Sequence, residues 1–243
     1  MREGIVCKHR MKQIDLLSPR QRFAADRVRD GAVFADIGTD HAKLPIALVD
    51  AGRVSLAIAS DIGEQPAAIA AARIAEKGFS DRIRVTVCDG LAPLERFAPT
   101  DIAVCGMGGE TIAGILDAAA FIRDPHVQLI LQPMTDFAAL REYLAAHGFS
   151  VTDEDIVLSE GRMYQCLCAS FTGVPYTLTP VEAELGRLNI EKHTPLFLRY
   201  VRRRKTIAEK QIAGKRSAGA DAAAELALLD GYNRILEEEN ETA

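Results

Sequence analysis

Between Ala32 and Phe171 the chain alternates short, almost wholly apolar runs with longer stretches of helical spacing, and no other feature constrains its fold as strongly. The runs are VFADIG (33–38), SLAIASD (55–61), IRVTVCD (83–89), DIAVCG (101–106) and VQLILQP (127–133). Strands that are apolar along their whole length must be covered on both faces, which is the situation in a parallel sheet with crossover helices. The spacing predicts helices over 41–52, over 64–78 with Gly78 as the stop, and over 136–147 closed by Gly148. FSVTDEDIVL (149–158) and RMYQCLCASF (162–171) follow, separated only by Ser159, Glu160 and Gly161. Three residues cannot span a parallel crossover, so these last strands form an antiparallel hairpin. The expected fold class is α/β, a doubly wound seven-stranded sheet with an antiparallel last strand.

On either side of this unit the pattern is helical. Residues 14–30 read as an amphipathic helix with Ser18 as N-cap and Pro19 at its first position. Beyond Phe171, where Gly173, Pro175 and Pro180 cluster, helices are expected over 180–192, 195–216 and 219–239. In the last of these, Leu226, Leu229, Tyr232 and Leu236 recur at helical spacing, so a helical, coiled-coil-like hairpin or small bundle is expected. The chain therefore divides into 1–172, an α/β domain with an N-terminal helix, and 173–243, a C-terminal helical domain.

A net charge of −5 hides two basic segments. Residues 1–30 hold eight Lys and Arg against four acids, and residues 199–216 hold Arg199, Arg202, Arg203, Arg204, Lys205, Lys210, Lys215 and Arg216 against Glu209 alone. Such segments on an acidic body suit a polyanion, because neutralised phosphates release counterions. They equally suit solvated helix faces. The five cysteines show neither zinc-ligand spacing nor a disulfide framework, since Cys166 and Cys168 form C-x-C and the others are far apart. Free thiols, no signal-like start and no long apolar run lead to the expectation of a cytoplasmic protein with no membrane association, no metal and no obligate protein partner.

In an open parallel sheet the ligand sits beyond the carboxyl ends of the strands. Here those ends read Asp36-Ile37-Gly38-Thr39-Asp40-His41, then Asp61-Ile62-Gly63, then Asp89-Gly90, then Gly106-Met107-Gly108-Gly109. Gly38 allows a sharp turn and a close backbone approach, and Asp36 orients that loop or accepts from an ammonium group. Asp61 is placed to accept ribose hydroxyls, Asp89 to accept the exocyclic amine of an adenine, and Ile62 to pack on its ring. Asp40 stands where a pyrophosphate would meet repulsion, so a cationic or neutral nucleoside suits the site better than a dinucleotide. Taken singly, such residues also serve as helix caps and turns. His41 stands either at a base or as the cap of a helix starting at Ala42. Gln132 and Pro133 end the fifth strand, either as a base-facing pair or as a simple terminator.

DIGTDHAKLP (36–45), SDIGEQPAAIAA (60–71), DRIRVTVCDGL (81–91), GMGGETI (106–112) and LILQPM (129–134) together resemble the bacterial tRNA (adenine-N1)-methyltransferases that modify adenine 22, over roughly residues 15–172 with a counterpart for the helical tail. The resemblance implies a class I methyltransferase (Rossmann-like) fold, S-adenosylmethionine as cofactor and tRNA as partner. It implies that Asp36, Gly38, Thr39, Asp61, Ile62, Asp89, Gly90, Gly106, Met107 and Gly108 cradle the cofactor, and that Asp40, His41, Gln132 and Pro133 face the target base. Arg199, Arg202, Arg203, Arg204 and Lys205 are then the expected RNA-binding set, and removing the tail after Ser170 is expected to weaken tRNA binding while sparing cofactor binding. The family's pattern often has Tyr where this chain has Lys43, and Asn where Met134 follows Gln-Pro. Methyl transfer to another RNA position or a small molecule, and a non-catalytic RNA-binding role, remain open on the residues alone.

Overall fold

The computed structural model describes residues 13–39 and 41–242, with side chains as far as Glu238. Seven strands form one sheet: β1 (Ala32–Ile37), β2 (Val54–Asp61), β3 (Ile83–Val87), β4 (Asp101–Met107), β5 (Gln128–Pro133), β6 (Phe149–Ser159) and β7 (Arg162–Phe171). Their order is β3-β2-β1-β4-β5-β7-β6. The first five are parallel, and β7 runs antiparallel to both β5 and β6. The doubly wound sheet with its antiparallel hairpin is thus as expected, and the strand order reverses between β1 and β4, which opens a crevice at their carboxyl ends.

Period-2 alternation sorts the sheet residues into two cores. Phe34, Ala57 and Ala59 pack with Phe23, Leu44, Ile46 and Ile74 from α1 (Pro19–Arg27), α2 (Lys43–Asp50) and α3 (Glu64–Lys77). Ala35, Ile37, Ile58 and Val104 pack on the opposite face with Ile112, Leu116, Leu140 and Leu144 from α4 (Gly109–Asp117) and α5 (Phe137–Ala146). A third cluster joins Ile156 of β6 to the tail, through Leu185, Phe197, Val201, Tyr232 and Ile235. The tail comprises α6 (Pro180–Leu185), α7 (Arg187–Lys192), α8 (Pro195–Ser217) and α9 (Ala223–Thr242).

Several helices differ from their sequence-based extents. The helix expected over 14–30 is a 3-10 turn, Gln13–Leu16, followed by α1, because Pro19 holds Ser18 in extended backbone at φ −61° and ψ 157°. The single helix expected over 180–192 breaks at Gly186, whose φ is +90° and where a side chain would run into the Glu154 carboxylate. The last helix starts at Ala223 rather than 219, after Gly219 at φ +66°. Its inward stripe is Leu228, Tyr232, Ile235 and Leu236, whereas Leu226 is 40% exposed. His193 is half-buried with its ring edge-on to Phe197.

Helical tail and sheet are riveted by a buried ion pair. Arg141 of α5 donates to Glu154 of β6 at 2.8 Å, with the two side chains 2% and 1% exposed. The other Glu154 oxygen accepts the backbone N–H groups of Leu188 and Asn189, and Arg141 also donates to the carbonyls of Ala183 and Glu184. Nearby, Asp153 bridges Arg27 of α1 at 2.7 Å and Lys192 of α7 at 2.6 Å. Among the described residues no helix is long and apolar enough to cross a membrane.

Candidate active site at the strand tips

The polypeptide leaves β1 through a strained turn. Gly38 lies at φ +71°, and its N–H and that of Thr39 both donate to the carbonyl of Ser60, tying the β1 tip to β2. A side chain at residue 38 would displace the flexible end of Met107 and would have to sit at φ +71°, the conformation that favours glycine. Thr39 is fully buried and donates its hydroxyl to Asp36 at 2.8 Å, which fixes that carboxylate under the loop. His41 and Ala42 then occupy the left-handed region at φ 57° and 49°. Two consecutive residues there cost roughly 1–2 kcal/mol each, and such strain concentrates at functional turns. Ala42 rather than His41 takes the N-cap position of α2, and His41 is exposed.

At the β2 tip, Asp61 Oδ1 accepts the N–H of Gly63 at 2.9 Å, which orients the carboxylate. A carboxylate has about four acceptor sites, so one such bond leaves capacity for hydroxyls. Ile62 beside it is 70% exposed, a large apolar side chain presented at a strand tip. Asp89 and Gly106 are exposed, and Gly90 and Gly106 take φ +68° and +81°. Gly108 is the N-cap of α4. The tips of β4 and β5 are bound together, Met134 N–H donating to Met107 at 2.8 Å and Gly109 N–H to Thr135 at 2.9 Å.

Three cavities border these tips. Gly38, Thr39, His41 and Asp61 line one of about 230 Å³, together with Pro66 and Ile69 of α3. Asp36, Gly38 and Gln132 line a smaller one of about 70 Å³, which Arg20 and Gln21 of α1 and Cys105 also wall. Gly38 is common to both. Pro133 lines a third of about 830 Å³ that reaches the helical tail. Ile62, Asp89, Gly90, Gly106, Met107 and Gly108 stand at the neighbouring tips without lining any of the three. Asp40 lies outside the described residues.

Gln132 is 3% exposed, and its amide nitrogen donates to the Met134 sulfur at 3.4 Å. A thioether accepts weakly, so this amide is held in place without being committed. Cys105 is half-buried beside Asp36, and desolvation first, then that carboxylate, push its thiol well above the usual range. It is therefore a neutral wall of the small cavity and no nucleophile. Arg20, Gln21, Pro66 and Ile69 were not singled out by sequence reasoning, although the Ser18-Pro19 start had located the helix that carries the first two. Its packing across the β1 tip is a tertiary fact with no local signal.

Of the expected RNA-binding set, Arg199, Arg202 and Arg203 are exposed on α8 and Lys205 is half-buried. Arg204 differs: it is turned inward, paired with Glu184 and lying over the Phe137 ring with 6.0 Å to its centroid. Spacing along α8 accounts for this, since Tyr200 and Val201 bury the helix face that Arg204 continues.

A methyltransferase-domain family model matches residues 17–167. A tRNA (adenine(22)-N(1))-methyltransferase of Bacillus subtilis is 36% identical over 63% of this chain and 64% of its own length. The chain thus spans just under two thirds of the length of the curated relatives it matches. Among solved structures, Sp1610 of Streptococcus pneumoniae in complex with S-adenosyl-L-methionine is similar at TM-score 0.80 and 28% identity, covering 90% of this chain and 99% of that one. TrmK, the B. subtilis M1A22 tRNA methyltransferase, is similar at TM-score 0.75 and 28% identity, covering 93% and 97%. With the sheet order, the glycine-tight β1 tip and a family model covering most of the chain in agreement, this protein belongs to the methyltransferase-domain family.

Proposed function

We propose that this protein transfers a methyl group from S-adenosylmethionine to N1 of adenine 22 in tRNA. The observation that carries the reading is the adjacency, through Gly38, of a cavity bordered by Asp61 and one bordered by Asp36 and Gln132. The first suits a nucleoside: a bare backbone turn where a side chain would strike Met107, an oriented carboxylate for ribose hydroxyls, and an exposed Ile62 for a purine face. The loop has none of the further glycines that cradle a pyrophosphate, so a phosphate-free cofactor fits these residues. The activity of the B. subtilis relative and the cofactor bound to Sp1610 support the same assignment.

When bound, S-adenosylmethionine supplies an electrophilic methyl group on a sulfonium. The protein's part is to bind, align and exclude water. Asp36 and Thr39 hold the β1 loop in shape, Asp61 takes the ribose, Asp89 takes the adenine amine, and Gly90 and Gly106 to Gly108 leave room for the ligand. Neutral adenine already has a lone pair at N1, so no base has to act before transfer, and alignment of the two reactants is the main source of rate. His41, the Gln132 amide and Pro133 hold the target base. Asp40 is assigned by its place in the sequence to favour the positive charge of the methylated ring. Arg199, Arg202, Arg203 and Lys205 bind tRNA phosphates, with the base rotated out of its stack. Cytoplasmic residence follows from this substrate and from the free thiols.

Incubating the protein with a tRNA transcript and labelled cofactor, then mapping methylated nucleosides by mass spectrometry, tests the reading. One 1-methyladenosine at position 22, absent from a transcript carrying guanine there, is expected. No methylation, or methylation elsewhere, overturns it.

A further inference from the structure

The cavity of about 830 Å³ belongs neither to the cofactor tips nor to the tail alone. It runs from Pro133 at the β5 tip, along the start of α5, to the β6–β7 turn and the inner side of α8. It has several times the volume of the cavity at Asp61 and exceeds the lower bound of about 300 Å³ for small-molecule sites. Its walls combine guanidinium groups with rings. Arg162, at the start of β7, and Arg203 of α8 are both exposed and line it from opposite elements. Among the described residues neither forms an ion pair. Phe137 and Tyr164 supply half-buried rings, each with a guanidinium over it, from Arg204 at 6.0 Å and Arg20 at 5.5 Å.

Two acids also face this space, and they do not cancel the two exposed arginines. Glu184 is matched by Arg204. Asp136 accepts the Thr135 hydroxyl at 2.7 Å, and it is an acceptor of the kind a base amine requires. Cations spaced across a cleft, aromatic walls between them and one acceptor are the elements by which proteins hold single-stranded nucleic acid.

We propose that this cleft is a nucleotide subsite for the RNA strand adjoining the target adenine, with a backbone phosphate between Arg162 and Arg203 and the neighbouring base against the Phe137 or Tyr164 ring. The assignment rests on the reading that RNA is the substrate. Its continuity with that reading is Pro133, which lines the cleft and ends the strand whose preceding residue, Gln132, borders the small cavity.

The test compares wild type with the double variant Arg162→Ala/Arg203→Ala, both exposed positions. A KM for tRNA raised at least tenfold is expected, with unchanged affinity for S-adenosylhomocysteine. The slope of log affinity for tRNA against log salt should fall by about 0.7, the value for one phosphate contact on a single strand. Arg162→Lys/Arg203→Lys should recover the slope. In the wild-type protein, tRNA should protect Arg162 and Arg203 from phenylglyoxal, a readout that does not depend on any variant folding. A wild-type enzyme that methylates tRNA while the double variant keeps KM within twofold and the slope unchanged, or while tRNA leaves both arginines reactive, overturns the subsite alone. A wild-type protein that methylates no tRNA overturns the reading on which it rests.

Discussion

Carboxylates are sunk into this protein in two places, at the strand tips around Gly38 and at the seam where α5, β6 and the tail helices meet. At the seam, Glu154 receives two donors from Arg141 and two backbone N–H groups, so its acceptor sites are filled from within the chain. At the tips, Asp36 accepts from Thr39 and Asp61 from Gly63, and both border cavities. A withdrawn carboxylate therefore means different things in the two places. A carboxylate saturated by its own chain holds elements together, and one held in orientation beside open volume is arranged for something that arrives.

The contrast is sharpest when each place is cut. Arg141→Ala leaves Glu154 buried without its partner and is expected to cost about 3–5 kcal/mol of stability in urea unfolding. Asp61→Ala is expected to weaken S-adenosylhomocysteine binding by about 10- to 100-fold, the worth of a hydrogen bond to a charged group, while costing less than about 1.5 kcal/mol of stability. Comparable stability losses in the two variants would erase the distinction.

The smallest effect is expected at Asp153, on the edge of the seam. Burial raises its pKa, but hydrogen bonds from Lys192 and Arg27 outweigh it and hold the carboxyl below its ordinary value. A depressed folded pKa stabilises the protein above the unfolded value near pH 4, and that contribution disappears as pH falls through the folded value. Because the side chain is a third exposed, roughly 0.5–1 kcal/mol is expected from Asp153→Asn at neutral pH. The deficit should shrink below about pH 4, and a deficit that persists in acid would assign the loss to packing instead.

The sheet was legible in the sequence because its signals are local: apolar runs, the first four of them ending in Asp or Gly, and a three-residue turn that forbids a crossover. The Gly38 turn was legible for the same reason. The walls contributed by other elements were not, since Arg20, Gln21, Pro66 and Ile69 reach the tips only after helices dock. The cluster Gly173, Pro175 and Pro180 marks where strands give way to helices, yet Glu154, Asp153 and Ile156 bind the two parts across it. Truncation after Ser170 would strip these partners from β6, so it would disturb the fold as well as the proposed RNA binding. Arg204 shows the same limit, because a run of four basic residues does not disclose which of them turns inward to Glu184.

The claim beneath all of this is that the tips of β1 and β2 hold a phosphate-free nucleoside cofactor. Calorimetric titration of the protein with S-adenosylhomocysteine tests it most directly. One saturable site that NAD fails to compete for is the expected result, and no heat of binding at millimolar ligand would contradict the account.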